Sequence, residues 1–439
     1  MLPPGFNYQI ISRQGQIMSD GQPTPGIFDG MGAFPLTPSA TTTPPRTILI
    51  RNHENRELDG ELKVITGPTV EYDGLAFGGN TKLVVERHKT GQRDPESGRG
   101  LIEYSVVEDF AILGGTSTNC AGGEMPFKKW ITCEETVKRS PNGRKHGYIF
   151  EIDARAPGPV PAVPVLAAGR MVHEATAWRD GILYETEDRG LDFDPRLDLI
   201  GSCFYRFIPR RQQFRSSNLA FGGGTLQALK LTNQFHANMD TGRRVGVPHP
   251  VEWVTVNEPD HDDDSDNRRD RMSGFTPTRI QAQDKGAAFF DRLEGMWAVG
   301  TGTSAKVYFD CTTGGAANLG QVWEYDIGLE TITLIYESTN AETLRNPDNV
   351  VIVPQTRDIF LCEDGGGPQF IRGLTPGGAI YDFARTTINP TEFCGACFDR
   401  GGHTLYVNQQ GDRGSLPDGP PGGQAVTYAI YGPFRDRLV

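Results

Sequence analysis

Short apolar runs rich in β-branched residues recur from one end of the chain to the other, and Gly, Pro, Asn or Asp separates them. Clear examples are residues 47–50, 62–65, 82–85, 148–152, 182–184, 204–208, 307–309, 322–325, 331–335, 358–361, 404–407 and 426–430. Runs of this length between turn residues are typical of β-strands. Helical periodicity is nearly absent, and residues 279–292 are the one passable helix. The pattern therefore predicts an all-β protein.

The strands follow a loose repeat, in which a donor residue beside small residues leads into an apolar strand that ends in a second polar group. The repeats open at Asp29, Cys120, Glu174, Glu294, Asp348 and Glu392, and they end at Glu54, Glu135, Asp188, Thr312, Asp364 and Gln410. Because units this small cannot each bury a face alone, the repeats predict a single six-bladed β-propeller domain over residues 1–439. A long β-sandwich would also give spaced strands, but it gives no reason for donors to recur at equivalent positions.

In a propeller the innermost strands line a central channel, so the repeated donors are expected to converge near its axis. We expect the ring to close by pairing residues 6–11 with a C-terminal strand such as 426–430, which removes exposed sheet edges. Coordinates that held Cys120, Glu174 and Glu294 far apart would overturn this prediction.

Composition excludes several classes of function. The 54 glycines and 31 prolines among 439 residues fit a turn-rich β fold, and the net charge of −12 argues against a nucleic-acid partner. No apolar run is long enough to span a membrane. Seven cysteines are an odd number, and we interpret the lone pair Cys394 and Cys397 as buried strand thiols. The charged run 258–271 lacks the glycine and terminal Glu of a calcium loop, so it is interpreted as a solvated loop.

Residues 114–136 carry the most distinctive chemistry. Cys120 lies in a run of small residues, and the strand-like segment 129–133 ends at the adjacent carboxylates Glu134 and Glu135. A soft thiolate followed by hard oxygen donors suits a metal centre. On this stretch alone, a glycine turn with a buried cysteine and an ordinary acidic loop explains the residues equally well.

Motifs along nearly the whole chain resemble those of PhoX-type alkaline phosphatases. They are RNHE (51–54), GGTSTNCAGG (114–123) with WITCEET (130–136), HGYIFEID (146–153), MVHEA (171–175), LYETEDRG (183–190), FYRFIP (204–209), DRLEG (291–295), RNPDN (345–349) with LCEDGGG (361–367), and EFCGACF (392–398) with TLYVNQQ (404–410). The resemblance implies a six-bladed propeller that uses Fe3+ and Ca2+ to hydrolyse small phosphomonoesters. We expect a monomer.

The resemblance also implies export to the periplasm or beyond the cell by the twin-arginine route. The opening residues MLPPGFNYQI have neither a charged n-region nor an apolar h-region. From the sequence alone, the protein is therefore either cytosolic or matured from a longer precursor. The chain is also compact beside the long members of the family, so loops over the site are expected to be missing, with a different activity and substrate range as a consequence.

The resemblance assigns roles to particular residues. Cys120 is expected to be the thiolate ligand of iron, Arg292 the clamp on the substrate phosphate, and Asn119 a polar contact at the catalytic centre. Asn349 is a candidate for such a contact on the same footing as Asn119, and Arg189 is a weaker one. His53 and His173 either orient neighbouring acids or are structural. The expected oxygen ligands of iron and calcium are Glu174, Glu294, Glu54, Glu135, Asp348, Glu187, Asp188, Asp364 and Glu392. Strand alternation does not decide which member of the pairs 134/135, 187/188 and 363/364 faces a metal.

Two other functions remain open. A calcium-dependent lactonase or esterase propeller would also gather acids at a channel, but it has no use for Cys120. A non-catalytic propeller that binds metal only for stability is the second alternative. The chain contains no GxSxG elbow, no GxxxxGK[ST] loop and no HExxH motif, which argues against serine hydrolase, P-loop and zincin chemistry.

Overall fold

A computed structural model describes residues 1–36, 44–58, 60–210, 219–262, 276–412 and 423–435. The strands are β1 (Asn7–Arg13), β2 (Phe28–Leu36), β3 (Arg46–His53), β4 (Gly78–Arg93), β5 (Gly100–Thr116), β6 (Asn119–Met125), β7 (Lys129–Glu134), β8 (Ile149–Asp153), β9 (His173–Arg179), β10 (Ile182–Glu187), β11 (Asp192–Asp194), β12 (Asp198–Ile200), β13 (Tyr205–Pro209), β14 (Gly224–Leu231), β15 (Pro248–Thr255), β16 (Leu293–Val299), β17 (Lys306–Cys311), β18 (Gln321–Asp326), β19 (Thr331–Glu337), β20 (Pro347–Ile352), β21 (Ile359–Glu363), β22 (Phe370–Leu374), β23 (Ile380–Arg385), β24 (Phe393–Phe398), β25 (Thr404–Gln409) and β26 (Val426–Tyr431). This confirms the all-β prediction.

Helix is confined to α1 (Thr278–Gln283) and three single 3-10 turns at Leu166–Ala168, Leu219–Phe221 and Gly302–Ser304 among the described residues. The predicted helix 279–292 was therefore too long. Gly286 has a φ of +91°, and Phe289 and Phe290 then form backbone bridges with Asn238 and Ser202. These bridges draw the second half of the predicted helix into sheet-like pairing. Most of the charged run 258–271 lies outside the described residues.

The chain folds into two compact units. Unit 1 comprises Met1–Asn119, Ile152–Pro161 and Val351–Val439, and unit 2 comprises Cys120–Glu151 and Ala162–Val350. Unit 1 contains the antiparallel sheets β2-β3-β4-β5 and β1-β26-β25-β24, together with β21 to β23 of the sheet β20-β21-β22-β23. Unit 2 contains the sheet β6-β7-β8, the hairpin β11-β12 and a nine-stranded sheet in the order β16-β17-β18-β19-β15-β14-β13-β10-β9.

This succession of small antiparallel sheets is propeller-like, but the number of blades is less clear than the repeat predicted. In unit 2 the strand β15 pairs with β14 through its C-terminal half and with β19 through Pro248 to Pro250. Two blade-like groups, β9 to β14 and β16 to β19, are thereby joined into one sheet. The six-bladed ring remains a prediction.

The predicted pairing of the two ends of the chain is confirmed within unit 1. β1 runs antiparallel to β26, from Asn7 opposite Tyr431 to Arg13 opposite Val426, with an irregularity between Ile10 and Ser12. Hydrogen bonds that would otherwise face solvent along β26 are made by the first strand of the chain, which protects that edge. No helix of the described residues is long and apolar enough to cross a membrane.

The core of unit 2 contains a stack of aromatic rings centred on Phe204. The Phe204 ring is fully buried and stacks on Phe309 at a centroid distance of 4.6 Å and on Tyr184 at 6.0 Å. Phe204 thus joins the β10 strand to the β17 strand across the core. Since aromatic side chains bury the largest apolar area per residue, this stack fixes the spacing of the strands that carry the candidate site.

Replacing Phe204 with alanine should lower the free energy of unfolding by about 3–5 kcal/mol, because it opens a cavity at the centre of the stack. The measurement is denaturant unfolding of the metal-free protein. The matched control is Phe193→Ala, since Phe193 is 64% exposed and its replacement should change stability by less than about 0.5 kcal/mol. Equal losses in the two variants would contradict this description of the core.

Candidate metal centre

Three of the acids that open the predicted repeats lie in β-bulges, where two residues of one strand face a single residue of the next. The bulges pair Asp29–Gly30 with Asn52, Glu174–Ala175 with Thr186, and Glu294–Gly295 with Asp310. A bulge bends its strand and re-aims the side chains there, which is why bulges concentrate at functional sites. The donor-plus-small-residue repeat seen in the sequence is the signature of these bulges.

The small residue of a bulge permits close approach of the neighbouring backbone. A Cβ placed on Gly295 would lie 2.4 Å from the Asp348 backbone oxygen and 2.6 Å from the Val350 nitrogen. No residue other than glycine fits there without displacing β20. Similarly, a Cβ on Gly123 of β6 would lie 2.0 Å from the Thr176 oxygen of β9. Glycine therefore allows β16 to lie against β20 and β6 against β9.

This close packing gathers three carboxylates of unit 2. Oxygens of Glu174, Glu294 and Asp348 all lie within 4.8 Å of one another, and we call these residues the carboxylate cluster. Their exposed fractions are 0%, 1% and 9%. Three hard oxygen donors from three strands, shielded from bulk solvent, are the donor type that calcium takes.

A second group adds a sulfur donor. The Cys120 Sγ and carboxylate oxygens of Glu135 and Glu174 also lie within 4.8 Å of one another, and we call these residues the thiolate cluster. Glu174 belongs to both clusters, so the two form one continuous site within unit 2. Cys120 is 6% exposed. The predicted convergence of Cys120, Glu174 and Glu294 is thus observed.

The adjacent acids Glu134 and Glu135 face different surroundings. The Glu134 carboxylate is fully buried and accepts hydrogen bonds from the Gly147 and Tyr148 backbone N–H groups at 2.8 and 3.2 Å. It also lies 2.6 Å from His146 Nδ1. Glu134 therefore fixes the β7 end of the sheet, and it is Glu135 that joins the thiolate cluster.

The same division holds for Glu187 and Asp188. Glu187 is fully buried, accepts a hydrogen bond from the Tyr205 hydroxyl at 2.9 Å and lies 3.6 Å from Arg279. It belongs to the polar core of its sheet and to neither of the two clusters, so its expected role as a ligand gains no support. Asp188, the next residue, forms a two-pronged ion pair with Arg292 at 2.9 and 3.0 Å.

Arg292 lies directly beside the carboxylate cluster. Its Nη2 donates to Glu294 at 2.5 Å, while Nε and the same Nη2 hold Asp188. The backbone of Arg292 has a φ of +54°, a left-handed conformation that costs a non-glycine residue roughly 1–3 kcal/mol. Hydrogen bonds from Arg292 N–H to the Arg189 oxygen and from Thr312 N–H to the Arg292 oxygen, both 3.0 Å, hold it there. Arg189, a weaker candidate for substrate contact, is thus tied to the site by its backbone.

Charge is concentrated at this site. Burial raises the pKa of Glu294 well above its usual range, the carboxylates of Asp188, Asp348 and Glu174 raise it further, and Arg292 opposes the shift. Burial also raises the pKa of Asp310, with a contribution from Asp348. The guanidinium of Arg292 has a raised pKa in turn, chiefly because of Glu294. One arginine does not balance this many acids, so the arrangement favours a bound cation.

Further donor residues lie in unit 1. Oxygens of Asp29 and Glu392 and the sulfur of Cys394 lie within 4.8 Å of one another. Glu54 is buried, pairs with Arg56 and accepts a hydrogen bond from Gln410 at 2.8 Å. Asp364 is exposed, whereas its neighbour Glu363 is buried and bonded to Arg372 at 2.8 Å.

The remaining candidates make specific polar contacts. Asn119 is fully buried and accepts a hydrogen bond from the Thr116 hydroxyl at 2.6 Å, and Asn349 donates to Asp348 at 2.6 Å. His53 bonds Gly26 and Thr81, both at 2.9 Å. His173 lies 3.1 Å from the Gly169 oxygen and 3.3 Å from Glu185. Both histidines thus have structural partners inside their own units.

Sequence reasoning did not select Asp29, Asp310 or Thr186 as site residues. Asp29 carried the signal, because it opens a repeat and is followed by glycine. Asp310 and Thr186 occupy strand interiors, in VYFDCT and ILYETED, where nothing local separates them from ordinary core residues. Only the cross-strand register, which places each opposite a bulge, identifies them. All seven cysteines are buried thiols without disulfides, as interpreted for Cys394 and Cys397.

Comparison with known proteins gives a family and a fold. The family described as alkaline phosphatase PhoX matches residues 1–412. The structure of Pseudomonas fluorescens PhoX in complex with vanadate, a transition state analogue, aligns over 100% of this chain and 97% of that chain, with 17% identity and a TM-score of 0.69. This likeness shows a shared fold. A search of curated proteins found no match.

Two further structures are much less similar. A family 117 glycoside hydrolase of Zobellia galactanivorans aligns with a TM-score of 0.32 and 8% identity over 99% of this chain and 92% of that chain. A putative 6-phosphogluconolactonase of Bacteroides uniformis aligns with a TM-score of 0.33 and 11% identity over 90% and 83%.

The adjacent acids Glu134 and Glu135 provide a matched test of the site. Glu134→Gln should lower the free energy of unfolding of the metal-free protein by about 1–3 kcal/mol, because a buried acceptor of several hydrogen bonds loses its charge. Glu135→Gln should leave that stability unchanged or raised, since it removes a negative charge from the thiolate cluster, yet it should reduce the metal retained per chain. The measurements are denaturant unfolding and elemental analysis. If Glu134→Gln lost metal without losing stability, Glu134 and not Glu135 would be the acid that binds metal.

Proposed function

The chain belongs to the alkaline phosphatase PhoX family and is a metal-dependent phosphatase, and we propose that its thiolate and carboxylate clusters hold Fe3+ and Ca2+ for the hydrolysis of phosphate monoesters. The observation that carries this proposal is the position of Arg292 beside acids that meet a thiolate, all within unit 2. We further propose that the sheets form the six-bladed, single-domain propeller that the repeats predict.

The donor groups fit the proposed cations. Fe3+ suits the thiolate cluster, in which Cys120 contributes sulfur and Glu135 and Glu174 contribute oxygen. Ca2+ suits the carboxylate cluster, whose donors are all oxygens. When bound, such cations would neutralise charge on the oxygens of the transferring phosphoryl group. The unit 1 donors Asp29, Glu54 and Glu392 are proposed as further ligands, and Asp364 is retained only as an exposed candidate.

Arg292 is proposed to bind the substrate phosphate. Its Nε and Nη2 are committed to Asp188 and Glu294, whereas Nη1 makes no hydrogen bond with any described residue, and the side chain is 30% exposed. Asp188 orients the guanidinium, so the two N–H groups of Nη1 are presented in a fixed direction. A planar guanidinium matches phosphate bidentately and stabilises the charge that develops on it.

The alternatives fit the site less well. A calcium-only lactonase would need the carboxylate cluster but gives no role to the sulfur of Cys120. A metal-stabilised binding module would need no strained arginine with a donor group directed away from its ion pairs. We also propose that the substrate is a small phosphomonoester, that the protein acts as a monomer, and that it is exported, as the family resemblance implies.

Arg292→Ala should lower kcat/KM for a chromogenic phosphomonoester by on the order of 10²-fold, because a charged contact to the transition state is lost. Inhibition by inorganic phosphate should weaken, while calcium and iron contents stay at wild-type values. Arg292→Lys should remain impaired, since an ammonium cannot bind bidentately. Arg206→Ala is the control, as Arg206 stacks on Trp253 in the same unit without touching either cluster. Loss of metal from Arg292→Ala would make Arg292 a support of the cluster and not the clamp.

Cys120→Ser should abolish the visible absorption expected of a thiolate–iron(III) pair and remove iron, while calcium is retained, because Cys120 is absent from the carboxylate cluster. Absorption spectra, elemental analysis and phosphatase activity measure these effects. The control is Cys203→Ser, a fully buried thiol in the core of unit 2, which should keep the colour. Wild-type protein matured with iron that is colourless and contains calcium alone would favour the lactonase instead.

A further inference from the structure

The hydroxyl of Thr186 links the two strands that carry Glu174 and Glu294. Thr186 is fully buried on β10. Its Oγ1 accepts a hydrogen bond from the Ala175 backbone N–H at 2.9 Å and donates to the Glu294 backbone oxygen at 2.6 Å. A contact with the Ala175 oxygen at 3.2 Å completes the arrangement. The Thr186 side chain thus contacts the backbone of Ala175, which is next to Glu174, and the backbone of Glu294 itself.

These contacts replace ladder hydrogen bonds that the bulges remove. Between the pairs Glu185–Thr176 and Glu187–His173, the residues Glu174 and Ala175 face Thr186 alone. Glu294 likewise lies outside the regular register of β16 with β17. Since a buried backbone group without a partner costs on the order of 1–3 kcal/mol, a hydroxyl that serves both bulges stabilises the geometry that each acid needs.

We propose that Thr186 is a positioning residue that sets the separation of Glu174 and Glu294 and thereby the calcium affinity of the carboxylate cluster. This inference rests on the proposed function. Threonine suits the role because its branched Cβ restricts χ1, and its hydroxyl donates one hydrogen bond while accepting others. Asn52 and Asp310 face the equivalent bulges, and Thr186 forms hydrogen bonds with two acid-bearing strands.

The test compares valine and serine at position 186 in the full chain. Thr186→Val keeps the branched shape and removes the hydroxyl, so the calcium affinity of the metal-free protein should fall by roughly 10- to 100-fold, as for other residues that orient metal ligands. Thr186→Ser keeps the hydroxyl and should bind calcium within about 3-fold of wild type. Isothermal titration with CaCl2 measures the affinity, and the calcium dependence of phosphatase activity gives a second readout.

The control for general loss of a buried hydroxyl is Thr404→Val. Thr404 is fully buried and lies 2.9 Å from the Tyr104 hydroxyl in unit 1, so this variant should lose stability but keep its calcium affinity. If Thr186→Val does not fold, Thr186→Ala and Thr186→Ser, which differ only in the hydroxyl, replace it. The inference would be overturned if the variant without the hydroxyl bound calcium as tightly as wild type, or if Thr186→Ser lost as much calcium affinity as that variant. The phosphatase proposal would stand in either case. Wild-type protein that binds no calcium would overturn both.

Discussion

Like charges held close together are the constraint on which this structure depends. Two unit charges 4 Å apart repel by about 4 kcal/mol at an effective dielectric constant of about 20, whereas a typical hydrogen bond contributes only about 1 kcal/mol. Glu174, Glu294 and Asp348 have oxygens within 4.8 Å of one another and almost no exposure to solvent. Local hydrogen bonds cannot offset that repulsion if all three are ionised. The cluster must therefore take up either protons or cations. The raised pKa of Glu294 has the same cause, because burial and the neighbouring carboxylates both disfavour its charged form.

The backbone supplies the rigidity that such a site needs. Gly295 brings β16 within contact distance of β20, Gly123 does the same for β6 and β9, and Thr186 joins β9 to β16 from a third strand. Each of these residues constrains main-chain atoms, which can shift less than side chains can. The acids are therefore fixed by the geometry of the strands, and a cation would find its oxygens already gathered. Preorganisation of this kind is what allows charge stabilisation without rearrangement during a reaction.

The sequence predicted the all-β class, the pairing of the chain ends and the convergence of Cys120, Glu174 and Glu294, because each depends on a repeated local signal. It did not decide between Glu134 and Glu135, or between Glu187 and Asp188, since Glu135 and Asp188 lie just past the ends of β7 and β10, where strand alternation no longer applies. Hydrogen bonds from distant residues, such as Gly147 to Glu134 and Tyr205 to Glu187, decide those pairs. The sequence also overextended the helix at 279–292, because pairing of Phe289 and Phe290 with distant strands overrides local propensity.

Arg292 is a cation held beside several carboxylates of the site. A lone cation beside several acids would normally be neutralised by them, yet Asp188 takes one side of the guanidinium and Glu294 takes a single nitrogen. The strained backbone at a φ of +54° is held by the Arg189 and Thr312 hydrogen bonds, so the side chain enters the site from a fixed point. If a cation takes up the charge of Glu294, the attraction that holds Nη2 there weakens. A cation at the carboxylate cluster would in this way leave Nη2 beside Nη1 as a second donor, which is the arrangement that the phosphate contact proposed for Arg292 requires.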